Sequence, residues 1–284
     1  MSGILIQCVI VLYKNTLSES RTLRSLSECC LQECGLAERL SILIFDNSPT
    51  AQQPNPTDWP FGPTEYHHDA ENGGLAAAYN YALRTARNEN IEWLLLLDQD
   101  TLLEVGLFSA LFREIGTPTP PYVCALVPKL VQNGAIISPQ IVGTFRNKPI
   151  SPQFSGLCSR LTTAFNSAAC LRVQAVVKVG GFPQEYWLDY LDHVMFYRLQ
   201  VADGRIFVLD VTVQHHLSLL NMEVEMSVER YANVLAAEGK FIKETNSGGG
   251  SLVHRMRLLK RAMSLLIKLR NRSYALQIFK SILK

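Results

Sequence analysis

Four consecutive leucines, Leu94–Leu97, run without a break into Asp98-Gln99-Asp100-Thr101. An apolar run of that length reads as a strand buried on both faces, and such a strand does not end in two carboxylates without a polar crevice or ligand to receive them. Leu40–Phe45 is a similar run that stops at Asp46, and Ile4–Leu12 is a third. Between them, Thr16-Leu17-Ser18-Glu19 reads as a capping box. It opens a helix with Leu23, Leu26 and Cys30 on its inner face and Gly35 as a left-handed stop. The stretch from Pro49 to Pro63 is a loop, followed by a short strand near Glu65–His67. Gly73-Gly74 then opens an Ala-rich helix, Leu75 to Arg87, which leads into the strand Trp93–Leu97. Further on, helices are expected near Val173–Val179 and from about Leu191 to Ala202, with a strand at Arg205–Leu209. This alternation predicts an α/β fold with a doubly wound sheet flanked by helices. Right-handed crossovers put the ends of its strands, and with them Asp46 and Asp98, along one ligand-binding edge.

At 284 residues, 48% of them hydrophobic and 18% charged, the chain is long enough for one large domain with an appendage. The expected division is residues 1–246 as the main domain, with halves 1–101 and 102–246, and residues 247–284 as a Gly hinge and tail. The net charge of +2 hides a split, because no Asp or Glu follows Glu244 while nine of the 27 Lys and Arg do. An anionic partner for the tail follows from that split. No stretch reaches the roughly 18 uncharged apolar residues that cross a bilayer, and the amino terminus reads as a strand without a leader, so a cytoplasmic protein is expected. The seven cysteines form no C-x-x-C pair of pairs and are expected to be free thiols.

Two carboxylates one residue apart after a buried strand can turn oxygens toward a hard cation, Mg²⁺ or Mn²⁺, which would neutralise a diphosphate. A helix cap or turn is the competing explanation, since Asp and Thr favour both. Upstream, Asn72-Gly73-Gly74-Leu75-Ala76 puts small residues at a helix amino terminus, where the backbone can approach a bulky anion. The glycines match neither a dinucleotide fingerprint nor a P-loop.

Taken in order, Val9-Ile10-Val11-Leu12-Tyr13, Phe45-Asp46-Asn47-Ser48, the Asn-Gly-Gly-Leu-Ala stretch, Asp98-Gln99-Asp100, Val179-Gly180-Gly181-Phe182-Pro183, Asp189-Tyr190-Leu191-Asp192 and Arg198 resemble the family 2 inverting glycosyltransferases of the GT-A fold. Within them the pattern is similar to the rhamnosyltransferase-like branch, over residues 4 to about 245. The resemblance implies a donor site in which Tyr13 lines the base pocket and Asp46 receives the nucleoside. Asn72, Gly73 and Arg198 would add donor contacts. Asp98 and Asp100 would hold the ribose and the metal-bridged diphosphate, with Asp100 the metal ligand and His215 or His216 completing its shell. Asp192 becomes the candidate base, and Trp187 and Asp189 lie toward the acceptor. An inverting transfer needs one such base, because a single carboxylate can take the acceptor hydroxyl proton while a cation absorbs the leaving charge. This sequence departs from the family at Leu191, where a Glu is usual, at Val194, and at Asn166-Ser167-Ala168-Ala169 in place of a Ser-Gly turn. His67-His68-Asp69 offers a further donor contact.

From Leu252 to Lys284, apolar residues recur beside Arg255, Arg257, Lys260, Arg261, Lys268, Arg270 and Arg272. A basic amphipathic helix of this kind suits a membrane surface, and packing on the domain or in a homodimer are the alternatives. Nucleic acid is not expected, since the motif-bearing part is acidic. The function expected is transfer of a sugar, L-rhamnose from dTDP-rhamnose as the first choice, from a dTDP- or UDP-sugar donor to a lipid-linked or polysaccharide acceptor of a bacterial surface glycan at the inner face of the membrane. The alternatives are another UDP- or dTDP-hexose donor and a non-catalytic membrane-associated scaffold. A nucleotidyltransferase would need a Gly-rich basic signature that Tyr13-Lys14-Asn15 does not supply.

Overall fold

The computed structural model describes residues 3, 5–54, 59–215, 226–245, 250–269 and 271–283. Its contacts separate two units, one of Met1–Val142 with Lys148–His216 and one of Gly143–Asn147 with Leu217–Lys284.

The first unit begins with β1 (Ile6–Leu12), α1 (Arg21–Gln32), β2 (Leu40–Asp46), β3 (Thr64–His68), α2 (Gly74–Asn88), β4 (Trp93–Asp98) and α3 (Val105–Gly116). All seven residues of β1 and of β2 are buried, as predominantly apolar runs require of strands covered on both faces. β5 (Val123–Gln132) and β6 (Ala135–Ser138) follow, then four two-residue strands: β7 (Gln140–Ile141), β8 (Lys148–Pro149), β9 (Gly156–Leu157) and β10 (Thr162–Thr163). β11 (Ala169–Arg172), α4 (Val173–Lys178), α5 (Leu191–Val201) and β12 (Arg205–Gln214) complete the unit. The large sheet runs β3-β2-β1-β4-β11-β5-β12-β9 with β6 on β5, and β10-β7-β8 form a small second sheet. β1 is parallel to β2 and β4, β12 is parallel to β5, and β11 runs antiparallel to both β4 and β5.

The chain moves outward from β1 to β2 and β3, then returns to place β4 on the other side of β1. That reversal makes the β1/β4 edge a switch point, where loops diverge and leave a crevice. Register puts Leu12 opposite Asp46 and Val11 opposite Asp98, so Tyr13 and both acids reach the same edge. Alternation along β1 sorts the faces. Ile6, Cys8, Ile10 and Leu12 share a core with Leu23 and Leu26 of α1 and with Leu107, Phe108 and Leu111 of α3. On the opposite face Gln7 donates from Nε2 to Thr85 Oγ1 of α2 at 2.7 Å.

The expected capping box forms, but it closes a turn and not the helix. Thr16 N–H donates to Glu19 Oε2 at 3.0 Å and Glu19 N–H to Thr16 Oγ1 at 3.2 Å. α1 starts only at Arg21, because Ser20 is extended and its Oγ accepts from Leu23 N. Gly35 is left-handed, with φ 80°, but it lies beyond the extended cap Glu33 that ends the helix.

The second unit is built from α6 (Val228–Thr245), α7 (Gly250–Lys268) and α8 (Ser273–Ile282). The tail is thus two helices, and α6 shares their core: Tyr231 and Leu235 pack with Leu258, Ala262, Tyr274, Ala275 and Ile278. The boundary expected at 246–247 falls within this unit. Residues 247–249 of the expected hinge lie outside the described residues. Among the described residues, no helix is long and apolar enough to cross a membrane.

Candidate active site

The acidic loop after β4 is held from below by α1. Thr22 Oγ1 donates to the carbonyls of Asp98 and Thr101, the latter at 3.1 Å, and Ser20 Oγ donates to the Gln99 carbonyl at 3.0 Å. Leu103 N–H donates to Ser25 Oγ at 3.0 Å. From the other side, Tyr13 N–H donates to Gln99 Oε1 at 2.8 Å, tying the ends of β1 and β4 together. Ser20, Thr22 and Ser25 are buried on an otherwise apolar helix face. Sequence reasoning missed them, although three hydroxyls in the first turns of that face are the signal that the face meets backbone.

The crevice collects carboxylates. Asp98 has its pKa raised, first by burial and then by Asp100 and Asp192, while a hydrogen bond from Ser167 Oγ and the nearby His215 imidazole oppose the rise. Asp192, in the first turn of α5, is therefore brought to the β4 loop from 94 residues further along the chain. Tyr79 of α2 senses Asp98 and Asp192 as well: it is 0% exposed, its hydroxyl has no hydrogen-bond partner, and burial, Asp98 and Asp192 all push its pKa up. Tyr79 was not singled out by sequence, where it reads as one more apolar position of an Ala-rich helix.

Left-handed residues other than glycine gather here. Lys14 (φ 51°), Asn72 (φ 54°), Ala168 (φ 58°) and Tyr190 (φ 66°) each lie within two residues of Tyr13, Gly73, Ser167 or Asp192. L-residues resist this conformation, and such positions are kept where surrounding structure over-determines them.

The other expected residues divide. Tyr13 is 43% exposed at the crevice rim. Asp46 is 0% exposed, and its carboxylate accepts from Ser48 N–H at 2.9 Å, Gln52 Nε2 at 2.9 Å and Tyr66 OH at 2.8 Å. Burial pushes its pKa up, but these hydrogen bonds outweigh it and hold the carboxyl below its ordinary value. Its charge organises the loop after β2, and a nucleoside reaching it would have to displace Gln52 or Tyr66. Asn72 is half-buried, and the Gly73 N–H is taken by Asp69 Oδ2 at 2.8 Å. Asp69, expected as a donor contact, is thus tied into the turn that precedes α2, accepting also from Glu71 N–H at 3.1 Å. Trp187 is 46% exposed, and its carbonyl accepts from Ala76 N–H at 3.2 Å. Gly74 is obligatory at that contact: its φ is 73°, and a Cβ there would stand 2.4 Å from both Trp187 Cε3 and its carbonyl oxygen. Asp189 is half-buried just before Tyr190. Arg198 lies beside Glu185, Nη2 to Oε1 3.6 Å, in a cavity of about 610 Å³ that it lines with Arg84 and Arg87. His215 N–H donates to the Val131 carbonyl at 3.0 Å, and His216 lies outside the described residues.

Among the described residues, no three His, Cys, Asp or Glu side chains close around a point where a metal ion would be enclosed. The Asp98–Asp100 pair, with a third carboxylate and one imidazole nearby, instead fits an open site where oxygens of a bound phosphate complete the shell, the arrangement Mg²⁺ commonly takes.

A sheet of this order with an acidic crevice at the β1/β4 edge defines the class as a GT-A glycosyltransferase fold. Solved structures agree on the fold. The S. aureus TarS 1–349 structure superposes with a TM-score of 0.54 at 13% identity, covering 99% of this chain and 71% of that one. The mannosyltransferase PcManGT from Pyrobaculum calidifontis, in complex with GDP-Man and Mn²⁺, gives 0.56 at 12% identity, covering 99% and 80%. TarS 1–349 in complex with UDP-GlcNAc gives 0.55 at 13%, covering 98% and 82%. No curated protein sequence matches the chain. Residues 8–177 match the model of glycosyl transferase family 2, and the chain belongs to that family.

Proposed function

We propose that the chain transfers a sugar from a nucleotide donor to an acceptor hydroxyl with inversion, and that Asp192 is the general base. The observation that carries this reading is that Asp100 and Asp192, from two distant segments, both act on the Asp98 carboxylate, and Asp98 and Asp192 on the buried Tyr79 hydroxyl. In this reading Asp98 and Asp100 hold Mg²⁺ or Mn²⁺ together with the donor diphosphate, and His215 is the additional ligand. When bound, the ion neutralises the charge that grows on the leaving nucleoside diphosphate. Asp192 takes the acceptor proton as the hydroxyl oxygen attacks the anomeric carbon in line. Tyr13 at the rim flanks the donor's nucleobase, Trp187 and Asp189 face the acceptor, and Ser167 orients the Asp98 carboxylate.

L-rhamnose from dTDP-rhamnose is the donor of first choice, supported by the Asp189-Tyr190-Leu191-Asp192 pattern. UDP- and GDP-hexoses are the alternatives, since structures of similar fold hold UDP-GlcNAc and GDP-Man. The acceptor is proposed to be a lipid-linked or polysaccharide glycan at the inner membrane face. The test is nucleotide release from a panel of nucleotide sugars, with Mg²⁺, Mn²⁺ or chelator. One donor should respond, only with metal, and Asp192→Asn should lower kcat by about 10²- to 10⁴-fold with donor affinity preserved. Full turnover by Asp192→Asn would remove the base, and failure of every donor would favour a non-catalytic scaffold.

A further inference from the structure

We infer that the second unit docks as a folded body on an anionic lipid surface, through a second apolar face of α7 that plays no part in its own core. The inference refines the membrane placement above and does not depend on sugar transfer. α7 is apolar on two separate sides. Its inner side, His254, Leu258, Ala262 and Leu265, is buried or packs in the core shared with α6 and α8. Its outer side carries Leu252 (68% exposed), Met256 (53%), Leu259 (44%), Met263 (63%), Leu266 (39%) and Ile267 (84%). At about 100° per residue these six fall within an arc of roughly 100° whose centre lies roughly 130° around the helix from that of the core face, a continuous stripe along the helix. Single exposed apolar residues need no explanation, but a contiguous stripe marks an interaction surface.

Charge selects the occupant. Arg255 and Lys260 are exposed on the two shoulders of the stripe, and Lys268 is exposed at its end. Two other cations of the helix are used internally: Arg261 forms a bidentate pair with Glu238, at 2.6 and 3.0 Å, and Arg257 donates to the Gly143 carbonyl at 2.8 Å. α8 repeats the pattern on a smaller scale, with exposed Leu276, Lys280 and Leu283 spaced as one helix face. Neither α7 nor α8 carries an acidic residue, so pairing two copies through the stripe would oppose cationic shoulders with no carboxylate on the paired helices to neutralise them. An anionic headgroup layer does neutralise them while the stripe enters the acyl boundary. The depth is interfacial, because no described helix is long and apolar enough to cross.

The test uses the full chain and vesicles of phosphatidylcholine alone or mixed with phosphatidylglycerol. Sedimentation with the mixed vesicles is expected, weak with neutral ones and weakened by salt. Met256→Glu with Met263→Glu should lower vesicle binding at least tenfold with an unchanged melting temperature and unchanged nucleotide release, and Arg255→Glu with Lys260→Glu should do the same on anionic vesicles only. Hydrogen exchange around Leu258 and Ala262 should stay slow on vesicles. Equal binding to neutral vesicles, wild-type binding by the Met256/Met263 variant, or loss of protection at Leu258 would overturn the proposal. A wild-type dimer that the same variant converts to monomer would assign the stripe to a second copy and overturn it too.

Discussion

Asp46 and Tyr79 show how two buried polar side chains of one unit can have opposite energetics. The Asp46 carboxylate is saturated by Ser48, Gln52 and Tyr66, and burial, helped by the hydrogen bond to Asp46, pushes the Tyr66 hydroxyl up to about 12. Because the folded pKa of Asp46 lies below its ordinary 3.8, the stability it contributes is present above that value and is lost as pH falls through the folded pKa. Asp46→Asn should cost about 2 kcal/mol or more at neutral pH, since hydrogen bonds to a charged group are worth about 1.5–3 kcal/mol each. Urea denaturation of both proteins should show the gap narrowing below pH 3.8. Tyr79 is the reverse case. Its buried hydroxyl has no protein partner, so Tyr79→Phe removes a desolvated group and should leave the melting temperature unchanged or higher. If the hydroxyl serves the acids beside it, kcat should fall about tenfold while donor KM hardly moves, an outcome that steady-state kinetics separates from a packing defect.

At the scale of elements, what was legible in the sequence was whatever depends on local periodicity. β1, β2 and β4 are predominantly apolar, so their limits fall within two residues of those expected, and the acids at the ends of β2 and β4 follow from register. β11 was not legible: Ala169–Arg172 is four residues, inserted antiparallel between β4 and β5 by contacts far away in sequence. The start of α1 was misplaced because Thr16–Glu19 satisfies its own amides in a turn, whereas the cap that matters, Ser20, also binds the Gln99 carbonyl 79 residues away. The role of Asp69 in the turn before α2 was masked by its adjacency to two histidines. The hydroxyl staple of α1 offers a prediction at this scale. Thr22→Val keeps the shape but removes the donor to the Asp98 and Thr101 carbonyls, at an expected cost of about 1–3 kcal/mol. The loop should loosen with it, lowering kcat/KM more than donor-independent stability alone explains. Thermal melts and kinetics on the same preparation check both.

For the whole molecule, two units with separate cores imply two unfolding events, and the chemistry of the second makes one of them sensitive to acid. Glu238 is 6% exposed between α6 and α7, with its carboxylate held by Arg261 and with His254 Nδ1 3.7 Å away. The His254 pKa is lowered first by burial, against the pull of Glu238 and with the help of Arg261 and Arg257. The folded unit therefore binds this proton less readily than the unfolded chain, for which the ordinary value is 6.5. Stability from this group is intact above that value and declines as pH falls from it toward the lower folded pKa. Calorimetry should resolve two transitions at pH near 8, as a starting condition above the histidine range. The one belonging to the helical unit should move to lower temperature as the pH drops below 6.5, while the sheet unit follows its carboxylates and yields later. His254→Gln, which keeps a neutral side chain of similar reach, should make the first transition insensitive to pH between neutrality and the onset of carboxylate protonation. If both transitions shift together in that range, or if His254→Gln leaves the shift in place, the acid sensitivity belongs to some other group. Because the stripe on α7 depends on the helical unit staying folded, the same acidification should weaken vesicle binding in the wild type and spare it in His254→Gln.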